Sequence, residues 1–69
     1  MPEEQDRKII QSVELTMRIF ESIAASGGEK GVTELATELS VTKARIFRHL
    51  QTLRQLGYVF HNPATRKDR

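Results

Sequence analysis

Between Leu39 and Lys43 a helical apolar rhythm stops for three residues and then starts again. Upstream, VTELATELS turns Leu35, Ala36 and Leu39 toward one side of a short helix, with Thr33 as its expected N-cap. Ala36 is small where another helix would cross closely. Downstream, Thr42 is placed to cap a helix over 42–56 that Gly57 ends. Ile46, Leu50 and Leu53 recur at helical spacing as its core stripe, with Phe47 alongside. Two helices joined by so short a turn form a helix-turn-helix, here expected over about 32–51.

The segment IQSVELTMRIFESIAASGG precedes this pair and reads as a first helix, with Ser12 as N-cap, Glu14 in the first turn and Gly27 and Gly28 as the stop. It carries two apolar stripes. Ile10, Val13, Met17, Phe20 and Ala24 make one; Leu15, Ile19 and Ile23 make the other, on roughly the opposite side. A helix with two apolar faces is covered twice. The chain's own helices or a second subunit could cover the second face, so Leu15, Ile19 and Ile23 are the candidate dimer contacts.

After Gly57, YVFH has strand character, NPAT reads as a turn, and RKDR begins a returning strand. Three helices followed by a short β-hairpin make a mainly α winged helix-turn-helix over 10–69, preceded by a flexible arm over 1–9. With 69 residues and no cysteine, the fold depends on packing, within the chain or against a partner subunit, rather than on disulfides. A hydrophobic content of 38% is too high for a disordered chain of this kind. No apolar run is long enough to span a membrane, and the acidic start MPEEQDRK is unlike a signal peptide, so a cytoplasmic protein is expected.

Enzymatic chemistry finds little to work with. His49 and His61 are the only histidines and stand in no metal-binding spacing, and SGGEKG lacks the spacing of a phosphate-binding loop. No cofactor and no metal are expected.

Charge is divided sharply. Residues 1–38 hold eight acids and four bases, and residues 39–69 hold seven bases and one acid, Asp68. The stretch from Ser40 to Val59 has four bases and no acid at all. A helix whose outer face is kept free of carboxylates suits a groove lined by phosphate. At 100° per residue, Ala44, Arg48, Gln51 and Gln55 lie opposite the core stripe, with Arg45, His49 and Thr52 along one flank and Lys43 at the N-terminal end. Arg45 and Arg48 are candidates either for two-pronged contact with guanine or for contact with phosphate, Arg45 foremost because it lies early in the helix. Thr33 and Thr42 serve as caps and also stand where a phosphate meets a helix N-terminus. Arg54 is expected at an ion-paired or solvated edge. Arg66 and Lys67 belong to the wing. The candidate DNA-binding set is therefore Thr33, Thr42, Lys43, Ala44, Arg45, Arg48, His49, Thr52, Arg66 and Lys67. A module for protein–protein contact through the two-faced first helix is the alternative.

IQSVELTMRIFESIA, VTELATELSVTKARIFRHLQTLRQLGYV and NPAT together resemble the N-terminal DNA-binding domain of IclR-type bacterial transcription regulators, over roughly Ile10 to Arg66. The resemblance implies a homodimeric repressor or activator on a pseudo-palindromic double-stranded operator. It implies that the second helix of the motif enters the major groove, that the wing follows the backbone, and that the first helix joins the dimer contact. It also implies a C-terminal domain, absent from this chain, that binds a small-molecule effector. Two departures stand out. Ala44 and Arg45 replace a Ser-Thr pair common in the family, so groove position is carried over but base preference is not. Arg66 stands for a turn glycine and Asp68 for an aromatic, so an irregular or frayed wing is expected.

Overall fold

The computed structural model describes residues 9–69. The expected arm over 1–9 lies outside them, apart from Ile9. Three helices, α1 (Gln11–Ala25), α2 (Val32–Leu39) and α3 (Lys43–Leu56), are followed by a hairpin of β1 (His61–Asn62) and β2 (Lys67–Asp68). This is a winged helix-turn-helix.

The helix starts differ from expectation at two of three places. Ile10, extended at φ −78° and ψ 111°, accepts from the backbone of Val13 and Glu14 through its carbonyl, so α1 begins before Ser12. Ser12 is thus a helical residue and not a cap; its carbonyl accepts from Thr16 Oγ1 at 2.7 Å. Likewise α2 begins after Gly31, whose N–H donates to the Glu34 carboxylate at 3.0 Å. That single bond satisfies a donor the helix leaves over, and it moves Thr33 from the cap to an exposed position inside the first turn. Thr42 does cap α3, accepting from Arg45 N at 3.2 Å.

At its other end α3 closes with two bonds, Gly57 N to Arg54 O at 3.1 Å and Tyr58 N to Leu53 O at 2.8 Å. This paired closure requires a left-handed residue, and Gly57 supplies it at φ 84°.

All three helices bury one stripe against the others. Leu15, Ile19 and Ile23 of α1 meet Leu35, Ala36 and Leu39 of α2 and Ile46, Leu50 and Leu53 of α3, with Val59 closing the base. The expected dimer contacts Leu15, Ile19 and Ile23 are therefore core residues. Among the described residues this stripe is what α1 contributes to the domain's interior. The opposite stripe faces outward: Ile10, Val13 and Met17 are 66%, 53% and 50% exposed. Phe20 packs partly against the core. Phe47 also departs from expectation. It is 43% exposed, with the Arg54 guanidinium 5.7 Å over its ring.

The wing is paired rather than frayed. β1 and β2 are antiparallel, with His61 opposite Asp68 and Asn62 opposite Lys67. Phe60 and Arg69 exchange both backbone bonds just beyond, at 2.8 and 3.0 Å. Of YVFH, His61 lies in β1 and Phe60 extends its pairing, while Val59 is used as a core residue. Two features stand in for the missing glycine and aromatic. Arg66 takes the left-handed turn conformation itself, at φ 60°, and donates to Asn62 O at 2.7 Å. Asp68 is buried beneath an ion pair with Arg54. Lys30, in the loop before α2, exchanges backbone bonds with Asp68 and so joins the hairpin to the helical body. Among the described residues, no helix is long and apolar enough to cross a membrane.

Candidate nucleic-acid interface

The stripe that buries Ile46, Leu50 and Leu53 obliges the other side of α3 to face outward. Lys43, Ala44, Arg45, Arg48, Gln51, Thr52 and Gln55 are all exposed. Two side chains on this surface fold back onto the helix. His49 Nδ1 lies 2.9 Å from Arg45 O, and Thr52 Oγ1 donates to Arg48 O at 3.0 Å. Both keep a free side: the second ring nitrogen of His49, and the lone pairs of the Thr52 hydroxyl. Among the described residues Lys43, Arg45 and Arg48 have no acidic partner within ion-pair distance. An arginine held in a surface ion pair would have to break it to meet phosphate or guanine; among the described residues these three cations have none to break.

Clefts border the outward face on both flanks. Toward α1, a cleft of about 500 Å³ is lined by Arg45, Arg48, His49 and Thr52 on one wall and by Ser12, Val13 and Thr16 on the other. Toward the wing, a cleft of about 660 Å³ is lined by Phe47 and Arg54 of α3, Thr33 and Glu34 of α2, and His61, Arg66 and Lys67 of the hairpin. The expected site residues thus fall into three groups. Arg45, Arg48, His49 and Thr52 share the first cleft; Thr33, Arg66 and Lys67 share the second; Thr42, Lys43 and Ala44 stand at the start of α3, lining neither.

The two clefts differ in charge. Glu34 stands in the second, and its carboxyl is held below the ordinary value of 4.5, first by the Gly31 N–H it accepts and then by the charge of Lys67. Lys67 Nζ is 3.7 Å from Glu34 Oε1. Its charge is partly answered within the domain, whereas Arg66 has no such partner among the described residues.

Residues 12–63 match the IclR helix-turn-helix domain. The chain belongs to that family. It is 38% identical over 50 residues to the HTH-type transcriptional regulator KdgR of Dickeya chrysanthemi and, equally, to KdgR of Escherichia coli strain K12. That alignment takes in 70% of this chain but 16% and 19% of those two proteins, so the chain spans less than a fifth of their length. No solved structure matches it. For an IclR-family domain, the functional meaning is DNA binding in transcription regulation, and the acid-free surface of α3 is the part of the fold suited to it. The match ends at Pro63, so Arg66, Lys67 and Asp68 lie beyond the stretch that the family describes.

Four residues outside the expected set border this surface or brace it. Ser12 and Thr16 face Arg45 and Arg48 across the first cleft; a hydroxyl pair one turn apart on α1 was the available signal. Phe47, read as lying alongside the core stripe, is 100° away from Ile46 and sits at the exposed edge beside Arg54. Asp68 stands out in the sequence as a departure from the family pattern, with no partner named for it. As the one acid among the bases of residues 39–69, it was a sign of a buried ion pair.

Proposed function

We propose that this domain binds operator DNA as the reading head of an IclR-family regulator, with α3 in the major groove and the hairpin along the adjoining backbone. Arg45 addresses a base edge, and guanine O6 and N7 suit its fork. Arg48, Lys43, Thr42, Thr33 and Thr52 take phosphates, with His49 beside them, Ala44 allows close approach, and Arg66 and Lys67 take the phosphates under the wing. Two copies, related by a two-fold axis, occupy the halves of a pseudo-palindromic site. A further domain in the whole protein, C-terminal to this one, binds a small effector, and the protein works in the cytoplasm without catalysis of its own.

One observation carries this reading: α3 presents three cations with no acidic partner among the described residues on a surface without a carboxylate. Selection of bound duplexes from a random pool tests it. The expected result is an enriched motif with two inverted halves. Affinity for it falls with rising salt at a logarithmic slope of about −0.9 per phosphate neutralised. A pool that yields no motif, together with salt-insensitive capture of a protein partner, favours the protein-contact module instead.

A further inference from the structure

We propose that Asp68 is a positioning residue for DNA binding: its buried ion pair with Arg54 sets the wing against the recognition helix. This rests on the DNA-binding reading above. A hairpin whose strands are two residues long has little stability alone. The hairpin therefore needs anchoring, and apart from the exposed Lys67–Glu34 ion pair its polar anchors among the described residues converge on one residue. Asp68 is 1% exposed. Its backbone exchanges bonds with Lys30 at 2.8 and 2.9 Å. Its carboxylate takes the Arg54 fork on both oxygens, Nε on Oδ2 and Nη2 on Oδ1, each at 2.8 Å. His61 Nδ1 lies 2.9 Å from Oδ1, across the hairpin. Asp68 thus ties together the loop before α2, the recognition helix and both strands of the wing.

A buried ion pair is a poor source of net stability compared with apolar residues of the same shape, but a two-pronged fork fixes distance and orientation. Arg54 is on the same helix as Arg45 and Arg48, while Arg66 and Lys67 immediately precede Asp68. The pair therefore sets the spacing between the cations of α3 and those of the wing. It also answers the Arg54 charge, which would otherwise face the wing cations across the second cleft. With Asp68 uncharged, the wing loses its hold on α3, and the phosphate contacts of Arg66 and Lys67 go with it.

The test measures DNA affinity and salt slope for the full chain and for Asp68→Asn, alone and in the Arg66→Ala/Lys67→Ala background. Asp68→Asn is expected to weaken binding about tenfold and to lower the slope by roughly 2, as loss of two phosphate contacts does. In the background lacking both wing cations it should change affinity less than about twofold, because nothing is left for it to position. An equal loss in both backgrounds, or no loss in the wild type, overturns the proposal. Should Asp68→Asn fail to fold, Arg54→Lys, which keeps the charge and removes the fork, decides by the same comparison. If the wild type binds no DNA, the functional reading fails separately. Amide exchange then decides the positioning: faster exchange at Arg66 and Arg69, with α1 unchanged, supports it, and uniform or absent acceleration refutes it.

Discussion

Ser22 Oγ donates to Glu38 Oε2 at 2.7 Å, joining the buried side of α1 to α2. Lys30 Nζ reaches both, donating to Ser22 Oγ at 3.1 Å and ion-pairing with Glu38. The Glu38 carboxyl is consequently held below its ordinary value of 4.5, first by the Lys30 hydrogen bond and then by that of Ser22. A carboxyl with a lowered pKa in the folded state contributes stability that is present above its unfolded pKa and lost as pH falls through the folded one. Glu34, also lowered, acts in the same direction. Melting temperature is therefore expected to fall as pH drops from about 6 to about 3. Glu38→Gln should lower it at neutral pH and flatten the acid-side slope. A slope as steep as that of the wild type would show that this cluster does not couple folding to protons.

A second expectation concerns the turn between α2 and α3. Ser40 holds a left-handed conformation at φ 57° and ψ 46°, closing α2 through its N–H to Ala36 O. For a residue with a Cβ this conformation costs about 1–2 kcal/mol, part of which glycine's greater freedom when unfolded cancels. Ser40→Gly should stabilise the domain by up to about 1 kcal/mol, roughly 4–8 °C in melting temperature for a domain of this size. Because Ser40 lies before the exposed face of α3, DNA affinity should hold. A lowered melting temperature would mean that the Ser40 side chain contributes something its backbone geometry does not reveal.

The helical part of the fold was legible because its signals repeat. Ile46, Leu50 and Leu53 mark one face of α3, and Thr42 and Gly57 mark its ends with the residue types those ends require. Around α1 the same periodicity was ambiguous. Two stripes of similar apolar strength cannot be ranked until the positions of α2 and α3 decide which one they cover, and they cover Leu15, Ile19 and Ile23. The caps at Ser12 and Thr33 failed for a local reason, since any extended residue can open a helix through its carbonyl, and Glu34 could satisfy Gly31 from three residues on. In the site, the exposed cations of α3 were readable from helical phase alone. The clefts and the choice of Asp68 as the partner of Arg54 depend on contacts between segments far apart in sequence, which no local pattern reports.

Arg45 is the residue on which specificity should turn. It is exposed on the first turn of α3, its own backbone N–H is tied to the Thr42 cap, and its carbonyl meets His49, so the helix beneath it is well fixed. Arg45→Ala is expected to cost about 1–3 kcal/mol on the selected operator and little on random duplex, with preference relaxed at one position of each half-site. Equal losses on both duplexes would move Arg45 to the phosphate contacts and leave Arg48 as the candidate reader.

Arg66 should separate stability from binding. Its φ of 60° is a conformation that glycine adopts at lower cost, yet its guanidinium is the wing cation with no acidic partner among the described residues. Arg66→Gly should raise the melting temperature slightly, since up to about 1 kcal/mol of backbone strain is relieved. The same substitution should weaken DNA binding and reduce the salt slope by about 1, because one phosphate contact disappears. Thermal melts and binding titrations on the one variant read both effects. If stability and affinity rise together, the wing touches DNA through its shape and the Arg66 charge is solvated; if they move in opposite directions, this turn keeps a strained arginine for its contact with the backbone.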